Sequence, residues 1–130
     1  MPLLKDESEV EEFIRLETQL QSSRREVAEL SKKKPNDGVN KFKLGHLNTM
    51  LRKANQILSD SLPLEDFTEF DVDLLPSNSD VVFVLAQYTD AIYRFRRSNT
   101  HESGGVNVWT LKNSGAKVRT GQLVNFKYRD

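Results

Sequence analysis

The fold is decided by residues 6–34, which read DESEVEEFIRLETQLQSSRREVAELSKKK. This stretch contains neither Gly nor Pro, and it is rich in Glu, Leu, Arg, Gln and Lys, which favour helix formation. Its acidic residues gather at the beginning and its lysines at the end, an order that complements the helix dipole. Pro35 and Gly38 then supply a stop signal. The sequence therefore predicts one long N-terminal helix over about 6–34.

Apolar residues recur in this helix at alternating steps of three and four, with Ser23 as the one polar interruption. Such spacing gives the narrow stripe of a coiled coil rather than the broad face of a core helix. Two interpretations are open: the stripe packs against the next helix of the same chain, or it pairs with another chain. We expect it to be an interaction surface, formed by Phe13, Leu16, Leu20, Val27 and Leu30.

Two further helices are predicted over about 39–60 and 80–97. The first has a broad apolar face, typical of a core helix, and Asp37 is a suitable N-cap. The second is the most apolar of the three, and Asn78 or Ser79 can cap it.

The remaining chain is predicted to form a loop and strands. Residues 60–79 form an acidic loop whose Phe and Leu side chains are expected to dock on the helices while its carboxylates face water. Residues 99–105 form a flexible connector. Residues 106–111 alternate as a strand does, and residues 117–128 continue the pattern after a turn, with an interruption at Gly121.

These elements predict a mainly α fold with a small β element (α+β): a long N-terminal helix, a helical hairpin with a third helix, and a C-terminal antiparallel β-ribbon. We divide the chain into a helical domain, 1–98, and a ribbon, 99–130. Because a two-stranded ribbon is barely stable alone, we expect it to pack on the helices.

The formal net charge of zero conceals an uneven distribution of charge. Residues 59–93 contain eight acidic residues and no Lys or Arg, whereas residues 94–130 contain eight basic residues against Glu102 and Asp130. The sequence leaves open whether the acidic loop and the basic C-terminal region pair with each other.

Nothing in the sequence predicts catalysis, a cofactor or a metal site. The chain has no cysteine, no Gly-flanked nucleophilic serine and no phosphate-binding glycine loop. His46 and His101 are far apart, and Asp71 with Asp73 lacks the further ligands of a calcium loop. No apolar run approaches the roughly 20 residues of a membrane helix. We therefore predict a non-enzymatic cytoplasmic protein that does not contact a membrane.

The predicted function is a protein–protein interaction module or small accessory subunit. Its partner is another protein or its own copy, which would make it a homodimer, and the N-terminal stripe is the expected contact. The alternative is a small nucleic-acid-binding protein, because cations beside aromatic rings can hold phosphates and stack bases. Its candidate residues are Arg94, Arg96, Arg97, Trp109, Lys117, Arg119, Lys127 and Arg129.

Overall fold

The computed structural model describes residues 4–112 and 117–123, and it confirms the α+β fold. Within these ranges three helices precede three strands: α1 (Glu7–Lys33), α2 (Lys41–Leu58), α3 (Asn78–Asn99), β1 (Thr100–Ser103), β2 (Val106–Thr110) and β3 (Lys117–Leu123). Each helix begins and ends within two residues of its predicted bounds.

The caps of α2 and α3 differ from those predicted. Asn40, not Asp37, accepts the hydrogen bond from the first turn of α2, and Ser77, not Asn78 or Ser79, does so for α3. Asp37 instead uses its backbone carbonyl to accept from the backbone N–H of Asn78, at 2.8 Å. This contact ties the turn after α1 to the start of α3, which moves both helix starts by a residue or more.

The helices enclose one apolar core, in which α1 has its most extensive helix contact with α3. These two helices are also joined by a buried ion pair, with Arg96 Nε 3.0 Å from Glu17 Oε2. Both side chains are almost fully buried, so the pair fixes how the helices align. The two residues are 79 positions apart in the sequence.

The C-terminal strands form an antiparallel sheet in the order β1-β2-β3. The predicted flexible connector, residues 99–105, is wrong: α3 continues to Asn99, and β1 begins at the next residue. Gly104 and Gly105 have φ angles of 61° and 81° and make the tight turn into β2. Both angles lie in the left-handed region that glycine adopts without strain.

The third strand continues through Gly121, and the interruption predicted there is an irregularity in its pairing: the register with β2 shifts between Arg119 and Leu123, which pair with Val108 and Val106. The predicted turn at 113–115 and the predicted strand residues beyond 123 lie outside the described residues.

Trp109 of β2 anchors the sheet to the helices. Its ring lies 4.9 Å from that of Phe13 in α1 and 6.4 Å from that of Phe95 in α3, measured between centroids. All three side chains are buried. Just after β2, the backbone N–H of Lys112 donates to the carbonyl of Leu4 at 2.7 Å, so the chain closes back on its N-terminal segment.

The acidic loop between α2 and α3 is ordered, but it docks only in part as predicted. Phe70 is buried and Phe67 packs against the core, whereas Leu74 is exposed. Polar side chains of α2 also hold the loop. Asn48 donates to the Phe70 carbonyl and accepts from its N–H, at 2.9 and 2.8 Å, as a neighbouring strand would.

Candidate functional site

The predicted interaction stripe on α1 is almost entirely inside the molecule. Phe13, Leu16, Leu20 and Val27 are buried in the core, and only Leu30 is exposed. The expectation that this stripe forms an intermolecular surface is therefore wrong for four of its five residues. The physical reason is that α3 and the sheet cover the stripe: Phe13 stacks on Phe95 at 5.4 Å.

A different set of apolar side chains reaches solvent. Among the described residues, the large apolar side chains that are exposed are Leu30 (39%), Phe42 (76%), Leu74 (77%), Leu75 (46%) and Phe83 (58%). We call these five residues the apolar end. They come from four different parts of the chain: the last turn of α1, the first turn of α2, the loop before α3, and the second turn of α3.

Backbone hydrogen bonds bring these four parts to the same end of the helical bundle. The N–H of Val39 donates to the Pro76 carbonyl at 2.8 Å, and Gly38 pairs with Ser77 as an isolated β-bridge. The Asn78 side chain donates to the Lys34 carbonyl at 2.9 Å. The end of α1 and the starts of α2 and α3 are thereby held together.

Two features of the apolar end restrict its shape. Leu75 has a φ of 46°, a left-handed conformation that is strained for a bulky side chain. Gly38 approaches it so closely that an added Cβ would lie 3.0 Å from the Leu75 carbonyl oxygen. Phe42 is held in place by an edge contact with His46, with ring centroids 4.6 Å apart.

The charges around the apolar end are mostly paired within the chain. Lys41 in α2 lies 3.0 Å from Asp73 in the loop, and Lys43 lies 3.6 Å from Glu26 in α1. Lys32 similarly pairs with its neighbour in α1 at 3.0 Å. These pairs are exposed and screened, so each contributes little stability. Their effect is to leave the surroundings of the apolar side chains nearly neutral.

Among the candidate nucleic-acid residues whose side chains the structure describes, two are withdrawn from the surface and two are engaged within α3. Arg96 and Trp109 are buried. Arg94 pairs with Asp90 on the same helix, and Arg97 donates to the Tyr93 hydroxyl at 3.1 Å.

Of the other candidates, Lys117 and Arg119 lie in β3, and Lys127 and Arg129 lie outside the described residues. Trp109 is therefore not available to stack on a base, because its ring packs into the core.

The acidic loop pairs with α2. Arg52 donates twice to Glu69, at 2.8 and 3.2 Å, and this hydrogen-bonded contact raises the pKa of the Arg52 guanidinium. Asp71 accepts from the backbone N–H of Asp73, which closes a turn inside the loop.

Within residues 4–112 and 117–123, no group of three or more His, Cys, Asp or Glu side chains could hold a metal ion. In the same residues, no helix is long and apolar enough to cross a membrane.

The exposure of two residues of the apolar end could have been predicted from the sequence, although the apolar stripe on α1 was the stronger pattern. Phe42 lies two positions before the buried Leu44, and Phe83 lies two positions after the buried Val81. Two residues correspond to about 200° around an α-helix, so both rings point away from the core. The exposure of Leu74 and Leu75 had no comparable signal, because an irregular loop has no periodicity.

No protein-family model matches this chain, and no curated protein and no solved structure is significantly similar to it.

Proposed function

We propose that this chain is a non-enzymatic protein–protein interaction module that pairs with a second copy of itself through the apolar end. The observation that carries the proposal is the collection of five exposed large apolar side chains at one end of the bundle. Large apolar side chains that gather in one region and reach solvent are typical of interaction sites. The module would belong to a cytoplasmic protein, in keeping with the absence of cysteine.

Burial of apolar surface would supply the affinity. A Phe or Leu side chain contributes about 1.5–3 kcal/mol when it is fully transferred from water. Phe42 and Leu74 stand out because both are more than three-quarters exposed. Association itself costs about 4–15 kcal/mol, so a patch of this size favours a weak dimer, with a dissociation constant on the order of micromolar.

The second copy is favoured as the occupant by charge. The formal net charge of the chain is zero, so two copies approach without net repulsion. The charged residues beside the patch, such as Lys41 and Asp73, already neutralise each other within one chain. The surroundings of the patch therefore offer little unpaired charge with which a charged partner could interact. A two-fold axis would place the same apolar patch on both sides of the contact, as is common in homodimers.

Sedimentation velocity over a concentration series tests this proposal. We expect the wild-type chain to shift from monomer to dimer as concentration rises, and the double variant Phe42→Glu/Leu74→Glu to remain monomeric, because four carboxylates would have to be buried per dimer. The matched control is Thr18→Glu/Thr49→Glu, which adds the same charge at exposed helix positions. It should dimerise like the wild type, and far-UV circular dichroism should show that both variants are folded.

Two results would overturn the proposal. One is a wild-type chain that stays monomeric at every concentration, which rejects a second copy as the occupant. The other is a dimer that the Phe42→Glu/Leu74→Glu variant forms as readily as the control does.

A further inference from the structure

A cleft lies in the half of the bundle away from the apolar end. Its volume is about 460 Å³, and it is bounded by the N-terminal half of α1, the C-terminal half of α2, Phe95 of α3 and Lys112 after β2. Small-molecule sites usually have volumes of about 300–1,000 Å³, so the cleft is large enough for a small ligand. Along α1, its last lining residue, Gln19, is eleven residues before Leu30, a distance of about 16 Å.

The cleft offers a ligand polar surface rather than apolar surface. The apolar side chains behind it, Phe13, Leu16 and Phe95, belong to the core and are 0%, 2% and 1% exposed. The lining residues that are exposed to solvent are polar or charged: Lys5, Glu9, Glu12, Arg15, Gln19, Lys53, Gln56, Ser59 and Lys112. A ligand must therefore be recognised through charge and hydrogen bonds, and a hydrocarbon chain would gain little.

The rim of the cleft carries more positive than negative charge. Its four cations come from four separate segments: Lys5 before α1, Arg15 in α1, Lys53 in α2 and Lys112 after β2. Against them stand two carboxylates of α1, Glu9 and Glu12, which leaves an excess of two positive charges. Glu9 is already engaged, since it accepts from the backbone N–H of Lys5 at 2.6 Å.

These four cations also differ from most others in the chain by having no carboxylate partner. In the part of the chain that the structure describes, no ion pair involves any of the four. Seven other Lys and Arg side chains are each within 4.0 Å of a carboxylate oxygen: Lys32, Lys34, Lys41, Lys43, Arg52, Arg94 and Arg96. The fold thus gathers unpaired cations from distant segments around one opening.

An anion with several charges would complement this arrangement. It would reduce the repulsion between the gathered cations, and it would accept charge-assisted hydrogen bonds from more than one of them at once. An anion with a single charge would leave part of the excess positive charge unmatched. Gln19 and Gln56 supply further amide donors at the same opening.

We propose that the cleft binds a small hydrophilic anion with two or more negative charges, held by Arg15, Lys53 and Lys112. The charge of the ligand is set by the excess at the rim, and its hydrophilic character by the burial of the apolar side chains behind it. This site goes beyond the proposed self-association and does not depend on it, because the two surfaces lie in opposite halves of the bundle.

Isothermal titration calorimetry of the full chain tests the ligand class with three probes, pyrophosphate, citrate and acetate, at a constant ionic strength of about 0.15 M. Pyrophosphate and citrate carry several charges on different head groups. We expect both to bind saturably at one site per chain, with affinities within about fivefold of each other. Acetate, with one charge, should bind at least about tenfold more weakly.

Two matched variants locate the site. Lys53→Gln/Lys112→Gln should weaken pyrophosphate binding about tenfold or more, because it removes two of the cations at the rim. Lys33→Gln/Lys34→Gln removes the same charge at the far end of α1 and should change binding less than about twofold, since charges at that distance are screened. Far-UV circular dichroism should show that both variants are folded.

Three results would overturn the proposal. The first is binding of pyrophosphate that does not saturate, and the second is binding of acetate as tight as that of pyrophosphate or citrate. The third is an equal loss of pyrophosphate affinity in the two variants, which would mean that the anion responds to the overall charge of the chain and not to the cleft.

Discussion

The two ends of the helical bundle differ in whether their aromatic side chains are buried. At the end that carries the sheet, Phe13 and Phe95 are closed over by Trp109, and all three are buried. At the apolar end, Phe42 and Phe83 remain exposed although they lie in equally regular helices. Residue type alone does not decide burial. What decides it is the face of the helix from which the ring projects and whether a later segment of the chain covers that face.

The later segment at each end is held by different forces. The sheet is attached to the helices through aromatic packing. The acidic loop adds side-chain amides to the packing of Phe67 and Phe70: Asn48 pairs with the backbone of Phe70, and Asn55 donates to the Thr68 carbonyl at 2.9 Å. Because amide hydrogen bonds fix the path of the loop, the loop does not need to bury every apolar residue. Leu74 can therefore remain outside.

The largest expected effect on stability comes from truncating Trp109. The same kind of truncation at the apolar end is expected to have little effect. Trp109→Ala should lower the free energy of unfolding by about 3–5 kcal/mol, because it leaves a cavity between Phe13 and Phe95. Phe42→Ala, the matched change at the apolar end, should alter it by less than about 0.5 kcal/mol, since little packing is lost.

Urea denaturation followed by circular dichroism measures both variants. Equal losses of stability would contradict the difference between the two ends.

The sequence predicted the helices well because helix formation depends on local features. The absence of Gly and Pro between Asp6 and Lys34 and the placement of charge within that stretch are sufficient for α1. The caps were less predictable, since Asp37 and Asn40 are both good caps and the bridge between Gly38 and Ser77, which lies between them in the chain, delays the start of α2. The strand β1 was missed because Thr100–Ser103 is polar, and its pairing with β2 depends on the turn at Gly104 and Gly105.

The candidate site was harder to predict because it depends on contacts between distant residues. The apolar spacing of α1 is the same whether it packs inside the chain or against another chain, so Leu20 could not reveal its partner. Arg96 appeared to belong to a basic surface, yet it is buried against Glu17. Asn48 is polar and lies in a helix, yet it is buried against the loop. Pairings across such sequence distances are set by tertiary packing, which no local pattern encodes.

A smaller effect is expected from releasing the acidic loop. Asn48→Ala removes the partners of two backbone groups of Phe70, and each buried group left unsatisfied costs about 1–3 kcal/mol. We expect a loss of about 2–4 kcal/mol in the free energy of unfolding, measured by urea denaturation. Dimer formation should also weaken in sedimentation velocity, because the loop carries Leu74. Thr49→Ala, at the neighbouring exposed position, is the control and should change stability by less than about 0.5 kcal/mol.

If Asn48→Ala proves as mild as Thr49→Ala, the loop is held by its apolar contacts, and the distinction between the two ends in how their covering segments are attached would be lost.

The smallest expected effect is a change in stability at alkaline pH. It concerns Tyr88, which contacts one of the amides that hold the acidic loop. The Tyr88 hydroxyl donates to Asn55 Oδ1 at 2.7 Å, beneath the loop, and burial raises the pKa of this phenol above its usual value of 10.0. The unfolded chain therefore releases this proton near pH 10, while the folded chain retains it to higher pH. Since the folded state then binds more protons, stability must fall as pH rises above 10.

Tyr88→Phe removes this titration together with one hydrogen bond, so the variant should be somewhat less stable than wild type at neutral pH and should lose less stability on the alkaline side. Urea denaturation at pH values below and above 10.0 measures both slopes. Parallel curves for the two proteins would mean that water reaches the phenol in the folded state. The attachment through Asn55 would then be open to solvent, and Asn48 alone would remain as the buried polar anchor of the loop.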